Sequence, residues 1–320
     1  SGSQIGFLAG ILPLVTHFSA PRWGGLADRT HRHRILLIAA VFGTIVIIIL
    51  ISSSLEFIWL FPRISLFAFF IAPIMPIVDN SVMELIANNR DRYGKLRLWG
   101  SVGWAAASPF IGLLIERSGL SSMFIAYIVL MVIGLLISLQ MTVSQAGIGT
   151  KYWTGLRSLL SNPGWWRFLV AVFVFGFGTA VINSYLFLYM DELGASKTLM
   201  GFSLTLATVS EVPILFYSGR LLNRFGITSL MVFAMILLAV RLLAFSVIGL
   251  PVLVVFFQIL HGPAYSVMWV SGVSFAALHA PRGMGATAQG LFAAVLLGLS
   301  AASGAFVGGI LLESLGSAAM

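Results

Sequence analysis

Long apolar runs separated by short polar gaps constrain this chain more than any other feature. Ten of them are long enough to cross a bilayer, whose hydrocarbon core takes roughly 20 residues of helix. They lie near 4–22, 35–54, 57–87, 97–116, 121–142, 165–190, 198–218, 228–248, 251–277 and 284–309. The third is long enough to be tilted or to extend past the membrane. Lipid satisfies no backbone N–H or C=O, so only helices and closed barrels span it. The runs lack the strict alternation of barrel strands. The predicted fold class is therefore an all-α membrane protein. Charge agrees with this. Only 9% of the residues are charged, whereas a soluble domain carries about 25%. That is too few to cover a surface facing water.

The positions of the charges give an orientation. One set of alternate gaps holds Arg22, Arg29, Arg32 and Arg34, then Arg90, Arg92 and Lys95, then Lys151, Arg157 and Arg167, and last Arg220, Arg224 and Arg282. The other set holds Arg63, Arg117 and Lys197 beside five acids, Glu56, Glu116, Asp191, Glu192 and Glu313. The excess of Arg and Lys places the first set in the cytoplasm. The formal net charge of +8 does not indicate nucleic acid, because the basic residues sit in the gaps and not on one polar face. With no cysteine, the chain has no disulfide, no thiolate metal site and no thiol nucleophile.

The chain also repeats itself. Gly24-Gly25-Leu26-Ala27-Asp28-Arg29 follows the first run, and Gly219-Arg220-Leu221-Leu222-Asn223-Arg224 follows the seventh, 195 residues later. Both read Gly-x-Leu-x-Asp/Asn-Arg. Six spans separate the copies, which is half of a twelve-helix fold with two pseudo-symmetric six-helix halves. The expected organisation is residues 1–142 as an N-terminal half (helices 2–6), 143–164 as a cytoplasmic linker, and 165–320 as a C-terminal half (helices 7–11). On this reading one helix precedes residue 4 and one follows residue 309.

The segment from Gly24 to Arg34 resembles the loop signature of the major facilitator superfamily, with His31 where the family has a glycine. The second copy keeps that glycine as Gly226. The resemblance implies that Gly24, Asp28, Arg29, Gly219, Asn223 and Arg224 form a cytoplasmic gating motif that latches one conformation. Small residues let helix ends approach closely, and the charges can make charge-assisted contacts there.

Five ionisable residues within the apolar runs stand out: Asp79, Arg97, Glu211, Arg241 and His261. A charge at mid-membrane costs about 2.5–3.5 kcal/mol on insertion scales, so such residues point to function. Their pattern resembles the lactose-permease-like branch of the superfamily, whose relatives include oligosaccharide, nucleoside and phenylpropionate proton symporters. The resemblance is carried by Gly94-Lys95-Leu96-Arg97-Leu98-Trp99-Gly100-Ser101, with Trp104 following, and by Ser210-Glu211-Val212-Pro213. It extends over nearly the whole chain. It implies substrate binding by Asp79, Arg97, Trp104 and Glu211, and proton coupling by Glu211, Arg241 and His261. Two positions depart from the branch. Ala264 stands where the branch has an acid three residues after its histidine, which leaves the proton step to Glu211 or Asp79. Ile214 replaces a sugar-site asparagine, which leans toward an aromatic or nucleoside-like solute.

The residues support these roles by their own chemistry. Arg97 offers a planar fork of donors suited to carboxylates and vicinal hydroxyls. Trp104, two turns further along the helix, offers a flat apolar face. Glu211 and His261 are groups that can take up and release a proton. Structural readings stay open beside these. Arg97 can snorkel from a helix end. Asp79 can serve as a structural partner of Arg97 or Asn80, and Arg241 can neutralise a buried acid. Trp104 can face lipid, and His261, just before Gly262-Pro263, can bond a carbonyl freed by a kink. Gly298, Gly304, Gly308 and Gly309 read as close helix packing.

The function expected is secondary transport of a small organic solute (a sugar, nucleoside or aromatic acid) by alternating access, as symport with a proton and without a cofactor. The alternatives are an uncoupled facilitator or exchanger on the same fold and a solute sensor that does not transport. An embedded enzyme is disfavoured, because the chain has no His-Glu-x-x-His and no second histidine near His261. The expected setting is a bacterial inner membrane. The expected partners are a solute and lipid, without nucleic acid, and the protein is expected to be a monomer.

Overall fold

The computed structural model of the chain describes residues 2–53, 56–86, 92–119, 121–141 and 152–315. Arg90, Lys151 and the first part of the expected linker lie outside the described residues. Each apolar run forms helix, and no strand occurs among the described residues. The elements are α1 (Gly2–Thr30), α2 (His33–Ser53), α3 (Phe57–Ile71), α4 (Ile74–Leu85), α5 (Tyr93–Ser118), α6 (Ser122–Gln140) and α7 (Tyr152–Leu160). They continue as α8 (Pro163–Glu192), α9 (Lys197–Phe225), α10 (Ile227–Val247), α11 (Pro251–Phe257), α12 (His261–His279), α13 (Gly285–Ala293) and α14 (Ser300–Leu315). Among the described residues, eight helical stretches are long and apolar enough to cross a membrane. The described part of the expected linker forms α7 and the start of α8.

Three of the long runs are interrupted, each for a local reason. The 57–87 run breaks after Ile71, because Pro73 cannot donate a backbone hydrogen bond and its ring crowds the preceding turn. The chain resumes as α4, with Ile77 N–H donating to Pro73 O at 3.0 Å. Between α11 and α12, Gln258–Leu260 form one 3-10 turn, and Gly262-Pro263 follow at once. A π-helical turn, Ala294–Leu299, joins α13 to α14. Such turns inside helices mark strained or functional points.

The chain forms two compact units. Unit 1 is Ser1–Leu85, Ala106–Arg167 and Ala276–Leu299; unit 2 is Ile86–Ala105, Phe168–Phe275 and Ser300–Met320. Each unit therefore takes segments from both halves of the sequence. The core of unit 1 includes Ala27, Leu37, Val41, Ile45, Ile77 and Ala286. In unit 2, Phe168 stacks on Phe275 at 4.3 Å, and Tyr189 Oη donates to Phe245 O at 2.6 Å. Gly304 packs on α8, where a Cβ would stand 2.7 Å from Phe177 O. This close approach is the packing role read for that glycine from sequence. Large apolar side chains such as Ile58, Leu136, Ile137, Val247 and Phe256 point outward, which lipid tolerates and water does not.

Both copies of the repeated motif reach a positive φ at the same register position. Gly226 has φ +76°, and His31, seven residues into the first copy as Gly226 is into the second, has φ +55°. For a residue with a Cβ this left-handed region costs roughly 1–2 kcal/mol, although histidine enters it more readily than most residues. His31→Gly is therefore expected to raise the apparent melting temperature of the detergent-purified protein. Gly226→Ala is expected to lower it, each by the equivalent of about 1 kcal/mol. The comparison is read by thermal unfolding followed on size exclusion. A drop with His31→Gly would show that the loop gains nothing from relief at that position.

Candidate functional site

Polar residues of unit 2 are gathered around one cavity of about 530 Å³ by α5, α8, α9, α10, α12 and the 3-10 turn before α12. From α5 come Arg97, Ser101 and Trp104. They are spaced by four and then three residues, which puts them on one helix face. From α9 come Thr208 and Glu211. Arg241 comes from α10, and Gln258, His261 and Tyr265 come from the 3-10 turn and α12. Asn183 and Phe187 of α8 complete the polar and aromatic lining.

Gly262 sets how closely α12 approaches α9. A methyl there would run into Ser210 and the backbone of Glu211. Instead Gly262 N–H donates to Ser210 Oγ at 3.1 Å. That approach is what brings His261 and Glu211 to the same cavity. Glu211 Oε2 accepts from Ser101 Oγ at 3.0 Å, and Arg97 lies close enough to bear on its charge. The Arg97 guanidinium rests over the Trp269 ring, 5.2 Å from its centroid, a cation–π contact. Trp269 is fixed in turn by its Nε1–H, which donates to Tyr93 Oη at 3.1 Å. Trp104 is 71% exposed and forms part of the cavity wall.

Arg241 is fully buried among neutral partners. Its Nη1 lies 3.0 Å from His261 Nδ1, and its Nη2 donates to Gln258 Oε1. A guanidinium has no acceptor, so His261 Nδ1 must be the acceptor and the imidazole proton sits on Nε2. Tyr265 stacks on His261 at 5.5 Å with an interplanar angle of 11°, which holds the ring in that orientation. Among the described residues no group of three His, Cys, Asp or Glu side chains is placed to hold a metal ion.

The structure thus brings Arg97, Trp104, Glu211, Arg241 and His261 together. Asp79 is buried on α4 and belongs to unit 1. Three contributors were missed in the sequence. Ser101 and Gln258 hold the acid and the arginine, and Tyr265 orients the imidazole. Gln258 had a signal, since it is a polar residue in an apolar run three positions before His261. Ser101 closes the Gly94–Ser101 segment that carries the resemblance, though no role was read for it, and Tyr265 had no signal beyond helical spacing.

The first motif copy is a second polar cluster, built within unit 1. Gly24 lets α1 lie against the start of α13, since a Cβ would meet Ala286 O at 2.5 Å. Asp28 is fully buried there. Its Oδ2 accepts from Thr287 N at 2.7 Å and from Thr287 Oγ1 at 2.5 Å, and its Oδ1 lies 2.9 Å from His33 Nε2. The carboxylate therefore caps the first turn of α13, where it also meets the positive end of the helix dipole. The second copy differs. Asn223 and Arg224 are exposed near the end of α9, with Arg224 over the Phe225 ring at 5.3 Å. His33 and Thr287 were not singled out from sequence, and nothing in the sequence ties position 28 to position 287.

The profile of the MFS_1 like family matches residues 1–320. The chain is 29% identical over 319 residues to the maltose permease of Geobacillus stearothermophilus, covering 98% of this chain and 80% of that one. It is 26% identical over 274 residues to a probable 3-phenylpropionic acid transporter of Escherichia coli (strain K12), covering 81% of this chain and 69% of the other. Among solved structures it superposes on the fucose:proton symporter FucP of E. coli with a TM-score of 0.80 at 15% identity, covering 98% of this chain and 86% of that chain. That likeness is one of fold.

Asp28 gives a test of the unit 1 cluster. Asp28→Ala strips the acceptor from Thr287 N–H and from His33, and is expected to cost about 1–3 kcal/mol. Asp28→Asn keeps one oxygen and is expected to recover part of that loss. The readout is the shift in apparent melting temperature, and equal values for the two variants would contradict the capping role.

Proposed function

This chain belongs to the MFS_1-like family of the major facilitator superfamily, and on that footing we propose that it is a secondary transporter that moves a small organic solute by alternating access, coupled to a proton. It is an integral membrane protein, with apolar helices and transporter relatives. The solute classes considered are a sugar, a nucleoside and an aromatic acid. Maltose permease and the probable 3-phenylpropionic acid transporter support the first and last.

The observation that carries this reading is Glu211. It is a carboxyl group inside a membrane cavity, bonded to the neutral hydroxyl of Ser101 and near the charge of Arg97. It can hold a proton in one step and release it in another, and it lines the space a solute would occupy. Arg97 and Trp104 bind the solute beside it. His261 and Arg241 adjust the charge around the proton. Asp79 keeps a solute-binding role on the family resemblance alone. The motif around Asp28 latches one state, its basic neighbours facing the cytoplasm of a bacterial inner membrane. The working unit is a monomer that needs no cofactor.

A second reading has one observation in its favour. Ala264, buried on α12 three residues after His261, cannot carry the proton that an acid would carry there. An uncoupled facilitator or exchanger fits that residue.

The two readings separate in lightly buffered cells expressing the full-length protein. A panel of sugars, nucleosides and aromatic acids is added singly, with external pH and labelled uptake recorded together. Proton symport is expected to alkalinise the medium with a transported compound, and Glu211→Gln is expected to abolish both alkalinisation and accumulation. Uptake with no pH change, unaffected by Glu211→Gln, would establish the facilitator instead.

A further inference from the structure

The charges of the unit 2 cavity do not cancel. Its lining holds two guanidiniums, Arg97 and Arg241, and one carboxylate, Glu211. Arg97 stands in the field of Glu211, so those two offset one another. Arg241 has no such partner among the described residues. It is 2% exposed. Its terminal nitrogens meet the neutral Nδ1 of His261 and the amide oxygen of Gln258, and its Nε is buried with no hydrogen-bond partner. The ring of Phe245 faces its Cζ at 5.3 Å. His261 contributes no charge either, because Nδ1 must accept from the guanidinium.

A guanidinium held away from water without a counter-charge is costly. The surrounding residues nonetheless hold it in place. Gln258 is itself fully buried, and Tyr265 stacks on His261. Resting on the transport reading above, we propose that the solute supplies the missing charge. The substrate is an organic anion whose carboxylate docks on the Arg241–His261–Gln258 edge of the cavity. Its body lies against Tyr265, Phe187 and Trp104. The His261 ring adds a donor from Nε2, so the site offers a carboxylate both charge and direction.

Counting charge also explains why such a solute would travel with a proton. With Glu211 ionised, the unloaded cavity carries one net positive charge. One anion and one proton together leave that charge unchanged. Either alone shifts it, to zero or to two. The anion and the proton therefore favour each other's binding, and this coupling is reciprocal. A neutral sugar would leave Arg241 without a counter-charge throughout.

The test is binding to the purified full-length protein at fixed ionic strength, by calorimetry, with acid and neutral members of matched pairs. The probes are 3-phenylpropionate with 3-phenylpropanamide, benzoate with benzamide, and maltobionate with maltose. At least one acid is expected to bind about tenfold or more tighter than its neutral partner, the difference that one charge-assisted contact makes. Gln258→Glu places a carboxylate of nearly the same shape against Arg241, and is expected to bring that ratio close to one. Arg241→Lys is expected to keep a preference for the acid, and Arg241→Gln to lose it. Should Arg241→Gln fail to fold, Gln258→Glu answers the same question with the arginine in place. Equal binding within every pair, no binding of any acid, or an unchanged ratio in Gln258→Glu would each overturn the proposal. Failure of transport itself reads differently. Acids that bind but never accumulate would sink the transport reading alone, whereas maltose accumulated and bound as tightly as maltobionate would sink this one alone.

Discussion

Hydrocarbon offers a polar group no partner, and the rest of this structure follows from that. Backbone donors and acceptors must be satisfied inside each segment, so the chain is helical wherever it is apolar. Breaks in the helices are tolerated only where something else takes up the freed groups. Two of the three observed breaks lie close to ionisable residues. Pro73 ends α3 six residues before Asp79, and the 3-10 turn at Gln258–Leu260 sits directly before His261. Pro213 lies two residues past Glu211 within α9. Ionisable side chains and irregular backbone thus share these two places.

The same constraint acts on side chains, with opposite outcomes in the two units. Asp28 is buried and its acceptors are used, by Thr287 N–H, by Thr287 Oγ1 and by His33. Such a group holds two segments together and gains little from anything added. Arg241 is equally buried but meets only neutral atoms and a ring face. Its electrostatic demand is left open, which makes it responsive to a ligand's charge. The Asp28 carboxylate is saturated with partners, whereas the Nε of Arg241 has none.

Glu211 joins these two kinds of group. Ser101 and the field of Arg97 give it partners, yet it lies in the same cavity as Arg241. Its position follows from the absence of a side chain at Gly262, which lets α12 approach α9. Removal of a methyl group at one position thereby decides which ionisable residues can influence one another.

The sequence by itself determined the membrane class, the helical fold and the short list of intramembrane charges, because apolar run length and the cost of a charge in lipid are properties of local composition. It also flagged the glycine position at His31, where the backbone does turn left-handed. Tertiary structure decided what the list could not. It put Arg97, Glu211, Arg241 and His261 around one cavity and left Asp79 in unit 1. It added Gln258 as the amide that holds Arg241, and paired Asp28 with a threonine 259 residues away. It also divided the chain into units that cross the sequence halves. These outcomes depend on which helix faces meet. Helices surrounded by lipid are apolar on nearly every face, so periodicity alone does not say which face turns inward.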